Sequence, residues 1–165
     1  QSRSSAASDV YKRQEDIQQG GGRAHTTVVT YDNVPANAHV AQSLGIPTGT
    51  VVTEAVRIRF ADNAPVAVLH NWIPHTVGKI SKEELDTTGL YQLLRERGSV
   101  PQVGKQRIGA RKVTSGEAQQ LDIESGAAVL TMERTAYDSM GRAIEHGEHI
   151  YRTDLYSLEF TVVNK

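Results

Sequence analysis

Two stretches of the chain, AQSLGIPTGTVVTEAVRIRF at residues 41–60 and AQQLDIESGAAVLTMERTAY at residues 118–137, align without a gap at an offset of 77 residues. The identical pairs are Ala41 and Ala118, Gln42 and Gln119, Leu44 and Leu121, Ile46 and Ile123, Gly49 and Gly126, Val52 and Val129, and Arg57 and Arg134. The same offset brings Ile73 onto Ile150 in the strands that follow. Such self-similarity indicates a duplicated structural unit, although two similar strand-turn-strand patterns of separate origin would also produce it.

The elements around the repeat predict that each copy is a strand, a short helix and a hairpin. Alternating or β-branched runs predict strands at residues 25–31, 51–60, 65–73, 103–113, 127–137, 142–151 and 158–163. One helix is expected between a cap at Asp32 or Asn33 and Gly45. Capping-box spacings at Ser81 and Thr114 predict two more helices, the first of them ending at Gly98. Because hairpins impose antiparallel pairing, we expect an α+β fold in which helices cover one face of an antiparallel sheet.

The composition excludes several classes of function. The 165 residues include 18 Lys plus Arg, 19 Asp plus Glu and no Cys, which excludes disulfide scaffolds, Cys-ligated zinc and thiol catalysis. Without a basic run, the chain is not expected to bind DNA directly. Because it has neither a signal peptide nor a stretch of about 18 apolar residues, we expect a cytoplasmic location and no membrane contact.

The chain divides into a tail and one domain. Residues 1–23 are rich in Ser, Gln, Gly and charged residues and lack an apolar period, so they are predicted to be a linker or disordered tail. Residues 24–165 are predicted to form the domain. Because the sequence starts with Gln, we expect a fragment whose upstream part is missing.

Several motifs occur together in a characteristic order. Two arginines precede the first hairpin turn, a Leu-Tyr pair starts the central helix, and the pattern Glu-x5-Tyr-Arg-x-Asp-x-Tyr lies near the C-terminus; these residues are Arg57, Arg59, Leu90, Tyr91, Glu145, Tyr151, Arg152, Asp154 and Tyr156. From about residue 25 onward the chain resembles the UTRA domain, the effector-binding module of HutC-like, GntR-type bacterial transcription regulators. The resemblance implies a chorismate-lyase-like fold, a homodimer, and an N-terminal winged helix-turn-helix that binds DNA and is absent from this chain.

The paired arginines are the first candidate site residues. Their spacing of two places the guanidinium groups of Arg57 and Arg59 on one face of a strand, where they can converge on a phosphate or carboxylate. The alternative from composition alone is a solvated strand face. In members of the resembled family that bind phosphorylated sugars, the matching arginines hold the anion, so we expect a small anionic effector such as a sugar phosphate or a carboxylate.

The remaining candidates come from the second half and the central helix. Glu145, His149 and Tyr151 share one face of a predicted strand, and a carboxylate with a phenol suits a small polar ligand. The resemblance implies ligand contacts at Tyr91, Glu145 and Tyr151, and His149 lies between the last two.

Other positions match the resembled family less well. The sugar-phosphate binders have a Ser where this chain has Gly89 and a Glu where it has Leu69, which argues against an amino-sugar phosphate. His70 follows Leu69 but faces the other side of a regular strand. Thr30 and Tyr31 lie near a loop that supplies backbone donors in the family.

Alternatives to an effector-binding module remain open. A chorismate-lyase-like enzyme would share the implied fold, and its arginines and a Glu could hold a dicarboxylate. A dimerisation module with a vestigial pocket is a third hypothesis. No cofactor is expected. His146, Glu148 and His149 could suggest a metal site, but none is expected because His146 and His149 fall on opposite faces of their strand.

Overall fold

The computed structural model describes residues 24–164, so the tail predicted at residues 1–23 lies outside the described residues. Within these described residues there are six strands: β1 (Ala24–Pro35), β2 (Val51–Ala61), β3 (Ala64–Pro74), β4 (Val103–Lys112), β5 (Ala128–Tyr137) and β6 (Ala143–Arg152). Four α-helices accompany them: α1 (Ala38–Leu44), α2 (Lys82–Thr87), α3 (Leu90–Glu96) and α4 (Ser115–Leu121). A 3-10 turn at His75–Val77 follows β3. This is the α+β class that the sequence predicts.

The strand order reproduces the internal repeat. All six strands form one antiparallel sheet in the order β1-β2-β3-β6-β5-β4. The first half runs β1-α1-β2-β3 and the second runs β4-α4-β5-β6, so the halves meet where β3 pairs with β6. In that central pairing Ala67 lies opposite Tyr151 and Trp72 lies opposite His146. The duplication therefore places the last strand of each half at the middle of the sheet.

Helix ends follow the same offset of 77 residues. Asn37 caps α1 by accepting from the Val40 N–H, and Thr114, which is 77 residues later, caps α4 by accepting from the Glu117 N–H. At the other end, Gly45 and Asp122 both adopt the left-handed conformation that closes a helix. Capping residues satisfy backbone groups that a short helix leaves without partners, which explains why seven-residue helices persist at both positions.

The helices cover both faces of the sheet, which corrects the expectation that they share one face. Helix α1 packs against Val52 and Trp72, and α4 packs against Val68 and Ile150. On the opposite face, α2 and α3 bury their leucines against Ala55 and other small or branched strand residues. Because β2, β3 and β6 are buried along most of their length, neither face can remain in water.

Three further predictions of elements need correction. Helix α1 begins after Asn37 rather than after Asp32 or Asn33, because β1 continues to Pro35 in pairing with β2. The helix expected from Ser81 to Gly98 is two helices, separated at Thr88 and Gly89, both of which have extended backbones.

The third correction concerns the last predicted strand. Residues 158–163 form no strand and pair with none of the six strands, and this stretch is largely exposed. No helix within residues 24–164 combines the length and the apolar character needed to cross a membrane.

The capping box of α2 makes stability depend on pH. Glu84 accepts from the Ser81 N–H and from Arg97, and these bonds hold the pKa of Glu84 at about 2, below its ordinary value of 4.5. Since the folded pKa is the lower one, the stabilisation is complete above pH 4.5 and is lost as the pH falls towards 2. We therefore expect Glu84→Gln to unfold at lower urea concentration than the parent near neutral pH, with the difference narrowing as the solution is acidified.

The matched control is Glu83→Gln, which removes a neighbouring exposed carboxylate from the first turn of the same helix. Urea denaturation followed by circular dichroism at several pH values measures both variants. An equal loss of stability in the two variants, or a constant difference down to pH 2, would contradict this account.

Candidate functional site

A cavity of about 610 Å³ lies between the sheet and the two helices α2 and α3. We call it the arginine cavity. Its sheet side includes Arg57, Arg59, Leu69, Asn71, Arg134, His149 and Tyr151, and its helix side includes Thr87, Gly89, Tyr91 and Arg95. The start of β1 contributes Ala24, His25 and Thr26. Residues from both halves of the repeat therefore meet around one space.

Five of the six site residues expected from the sequence line this cavity. These are Arg57, Arg59, Tyr91, His149 and Tyr151. Strand alternation brings the two arginines of β2 onto the face that also carries the odd-numbered residues of β6. Glu145 is the exception, because it is fully buried and lies behind the cavity wall rather than in it.

A buried chain of hydrogen bonds connects the cavity wall to Glu145. Nη2 of Arg57 donates to Oδ1 of Asn71 at 2.8 Å, and Nδ2 of Asn71 donates to Oε1 of Glu145 at 2.6 Å. The hydroxyl of Tyr91 donates to the other carboxylate oxygen at 2.9 Å. Glu145 thus holds Arg57 and Tyr91 in place through short, charge-assisted bonds, and its effect on a ligand is indirect.

Gly147 makes this arrangement possible. It lies between Glu145 and His149 on the same face of β6 and opposite Asn71 on β3. A Cβ atom at position 147 would come within 2.7 Å of Oε1 of Glu145 and of Nε2 of His149. A side chain at position 147 would therefore displace Glu145 and His149 from their present positions, and glycine avoids this clash.

The electrostatic potential in the cavity is positive. Burial, together with the charge of Arg59, lowers the pKa of Arg57 to about 10. Burial is also the main cause of a strongly lowered pKa at His149, to which Arg134, Arg57 and Arg59 add repulsion. Burial raises the pKa of Tyr151 to about 12. Near neutral pH the cavity therefore presents positive guanidinium groups beside a neutral imidazole and a neutral phenol.

The cavity wall includes buried polar atoms that have no hydrogen-bond partner among the described residues. Among them are Nε of Arg57 and Nδ1 of His149. A buried polar atom without a partner costs roughly 1–3 kcal/mol.

Sequence analysis missed Arg134, Asn71 and Arg95 as cavity residues. Arg134 lies over the ring of Tyr91, with 4.7 Å between its Cζ atom and the ring centroid. The repeat already contained the signal for it, since Arg134 is the counterpart of Arg57 at an offset of 77 residues. Asn71 and Arg95 had no comparable signal, because their positions depend on the packing of β3 against β6 and of α3 over the sheet.

The other positions singled out in the sequence have different surroundings. Leu69 and Gly89, which depart from the family pattern, both line the cavity. Thr30 is exposed and Tyr31 donates from its hydroxyl to the Ile80 carbonyl at 2.5 Å; neither is among the lining residues.

Part of the C-terminal motif stabilises the fold. Arg152 makes two hydrogen bonds to the Asp154 carboxylate and also donates to the carbonyls of Pro65 and Leu121. The ring of Tyr156 stacks on Tyr151 with 4.3 Å between centroids. These contacts support the cavity wall from outside.

Comparison with known proteins identifies the fold and the class of protein. The family model described as UTRA domain matches residues 19–157. The transcriptional repressor NagR of Bacillus subtilis is 28% identical over 144 residues, covering 87% of this chain and 59% of the repressor. The chain therefore spans about three-fifths of that relative.

Solved structures agree with this assignment. A putative transcriptional regulator from Streptomyces coelicolor is 41% identical, with a TM-score of 0.82 over 87% of this chain and 96% of that one. The ligand-binding domain of a putative GntR-family regulator from Bordetella bronchiseptica has a TM-score of 0.81 at 24% identity, covering 87% and 91% of the two chains, and shows the same fold. These similarities confirm the chorismate-lyase-like α+β fold, and the relatives are transcription regulators rather than enzymes.

The bond between Tyr91 and Glu145 gives a direct test of the buried network. We expect Tyr91→Phe to lower the free energy of unfolding by about 1–3 kcal/mol, because a hydrogen bond to a buried carboxylate is lost while the ring remains. Tyr137→Phe, at a half-buried tyrosine outside the network, should change it by less than about 0.5 kcal/mol. Chemical denaturation measures the free energy of unfolding of both variants. Equal losses in Tyr91→Phe and Tyr137→Phe would show that the bond between Tyr91 and Glu145 does not stabilise the fold.

Proposed function

The chain belongs to the UTRA domain family, and we propose that it is the sensor of a GntR-type regulator whose effector is a small anionic metabolite bound in the arginine cavity. The observation that carries this proposal is the convergence of Arg57, Arg59 and Arg134 on one enclosed space. Guanidinium groups match phosphate and carboxylate oxygens with paired hydrogen bonds. The charge of Arg59 contributes to the lowered pKa of Arg57, and a bound anion would relieve that repulsion.

The size and lining of the cavity limit the effector class. A volume of about 610 Å³ is in the usual range for pockets that bind small molecules. Leu69 and Gly89 line the cavity at the positions where the family's sugar-phosphate binders have a carboxylate and a hydroxyl, so two hydrogen-bond partners of such a ligand are missing here. We therefore favour a sugar phosphate or carboxylate with few hydroxyl contacts on that side, and not an amino-sugar phosphate.

In this proposal Glu145 positions other residues of the site and does not contact the effector. Its carboxylate is occupied by Asn71 and Tyr91, so it would hold those groups for the ligand instead of binding the ligand. His149 and Tyr151 would contact the effector from the floor of the cavity. Tyr91 would contact it from α3.

Effector binding is proposed to reach the N-terminus through α2. Asp86 of α2 lines the cavity and accepts from the Val28 N–H of β1 at 2.9 Å. The first residues of β1 line the same cavity. A ligand that orders α2 would therefore also change the position or mobility of β1, and a difference in affinity between two such states is the source of allosteric coupling.

The rest of the regulator completes the proposal. Residues 1–23 would connect β1 to an N-terminal winged helix-turn-helix, and two copies would associate so that two DNA-binding domains act together in the cytoplasm. Multi-angle light scattering of the chain tests the association, for which we expect the mass of a dimer. A monomer at all concentrations would contradict this part alone.

Binding of anions tests the central part of the proposal. A panel of sugar phosphates and dicarboxylates, together with the uncharged parent sugars, is screened by thermal unfolding, since a ligand that binds only the folded chain raises its melting temperature. We expect at least one anion to stabilise the chain and its uncharged counterpart to have no effect.

Variants then locate the binding site. Arg59→Ala and Arg134→Ala should each weaken binding of that anion by about 10- to 100-fold, because each variant loses a charge-assisted hydrogen bond to the anion. Arg107→Ala removes an exposed arginine of β4 and should have no effect. Equal affinity in all three variants, or equal binding of the uncharged sugar, would refute the proposed anion site.

A further inference from the structure

A second cluster of polar side chains lies on the face of the sheet opposite the arginine cavity. It consists of His39 on α1, Glu133 on β5, and His146 and Glu148 on β6, and we call it the His-Glu cluster. One ligating atom from each of the four side chains lies within 4.8 Å of all the others. Sequence analysis weighed His146 with Glu148 and His149, whereas the second histidine that faces His146 comes from a helix distant in sequence.

The two carboxylates of the cluster are placed against each other. Glu133 and Glu148 are direct cross-strand partners in the pairing of β5 with β6. Like charges at such positions repel, so this arrangement requires positive charge between them. The groups that face both carboxylates are the ring nitrogens of His39 and His146. Two carboxylates and two imidazoles around one point form a complete donor set for a divalent cation.

The distances suit a tetrahedral ion. Metal–ligand bonds of about 2.0–2.1 Å imply about 3.3 Å between any two ligand atoms of a tetrahedron. Nε2 of His39 lies 2.7 Å from Oε1 of Glu133 and 3.3 Å from Oε1 of Glu148. Nε2 of His146 lies 3.4 Å from Oε1 of Glu148 and 3.8 Å from Oε1 of Glu133. These four distances lie within about 0.6 Å of the tetrahedral value, and every pair of ligating atoms lies within 4.8 Å, so modest side-chain rotations would close the site around an ion.

His146 is held as metal-ligating histidines usually are. Its ring is fully buried, and Nδ1 lies 2.8 Å from Oγ1 of Thr135, which leaves Nε2 directed at the carboxylates. Trp72 packs against the same ring. A hydrogen bond on the second ring nitrogen fixes the orientation of a ligating imidazole and increases its affinity for metal.

We propose that His39, Glu133, His146 and Glu148 bind a divalent transition-metal ion, with Zn²⁺ as the best match. Imidazole nitrogen with carboxylate oxygen in a tetrahedral set is a common zinc environment, and imidazole ligands disfavour Mg²⁺ and Ca²⁺. The ion would fasten α1 to β5 and β6. Because Glu133 adjoins Arg134 and Glu148 adjoins His149, the strands that carry this ion also carry the wall of the arginine cavity.

Titration of the 165-residue chain with Zn²⁺ after treatment with a chelator tests the proposal. We expect saturable binding of a single ion by calorimetry, a higher melting temperature with Zn²⁺, and the visible absorption of four-coordinate Co²⁺ when that ion is added instead. His39→Ala and Glu133→Gln should each weaken Zn²⁺ binding by more than about 10-fold, since even loss of an outer partner costs that much.

The matched control is His75→Ala, which removes another exposed histidine and should leave Zn²⁺ affinity within about twofold of the parent. His39 and Glu133 are both solvent-accessible, so neither substitution opens a hole in the core. The proposal fails if the parent chain shows no saturable Zn²⁺ binding. It also fails if His39→Ala and Glu133→Gln bind Zn²⁺ as tightly as His75→Ala does.

Discussion

The hydrogen-bonded chain that runs from Arg57 through Asn71 and Glu145 to Tyr91 is the interaction on which the arrangement of the cavity depends. Its members come from β2, β3, β6 and α3, so it joins both halves of the repeat to the helix that covers them. The residues of this hydrogen-bond network are buried, and a charged group without partners in the protein interior is very unfavourable. Any displacement of one half against the other would break these bonds, and the network therefore fixes the geometry of the arginine cavity.

The central sheet separates two environments of different chemistry. Odd-numbered residues of β6, such as His149 and Tyr151, face the arginine cavity, whereas His146 and Glu148 face the His-Glu cluster. One side concentrates positive charge, and the other concentrates carboxylates with imidazoles. Alternation along a strand makes this possible within ten residues. Helices pack on both faces, and the innermost members of the two clusters, Arg57 and His146, are buried, which strengthens their electrostatic interactions.

Sequence alone predicted most of the fold, because the offset of 77 residues carries over to the helix caps, to the starts of β2 and β5, and to the order of the strands. It also identified residues that line the cavity, since strand alternation decides which side chains share a face. How deeply each side chain is buried could not be predicted in the same way. Glu145 shares its face of β6 with His149 but lies beneath it, because β3 packs against β6. Contacts between distant elements, such as that of His39 with Glu133, depend on where α1 docks and leave no pattern in the sequence.

A crystal structure of the chain with its bound metabolite tests the central claim most directly. The account predicts an anionic group of the ligand in the arginine cavity, within hydrogen-bond distance of Arg57, Arg59 and Arg134, with Glu145 still bonded to Asn71 and Tyr91. A metabolite bound elsewhere on the domain, or one that places an uncharged group against these arginines, would contradict it.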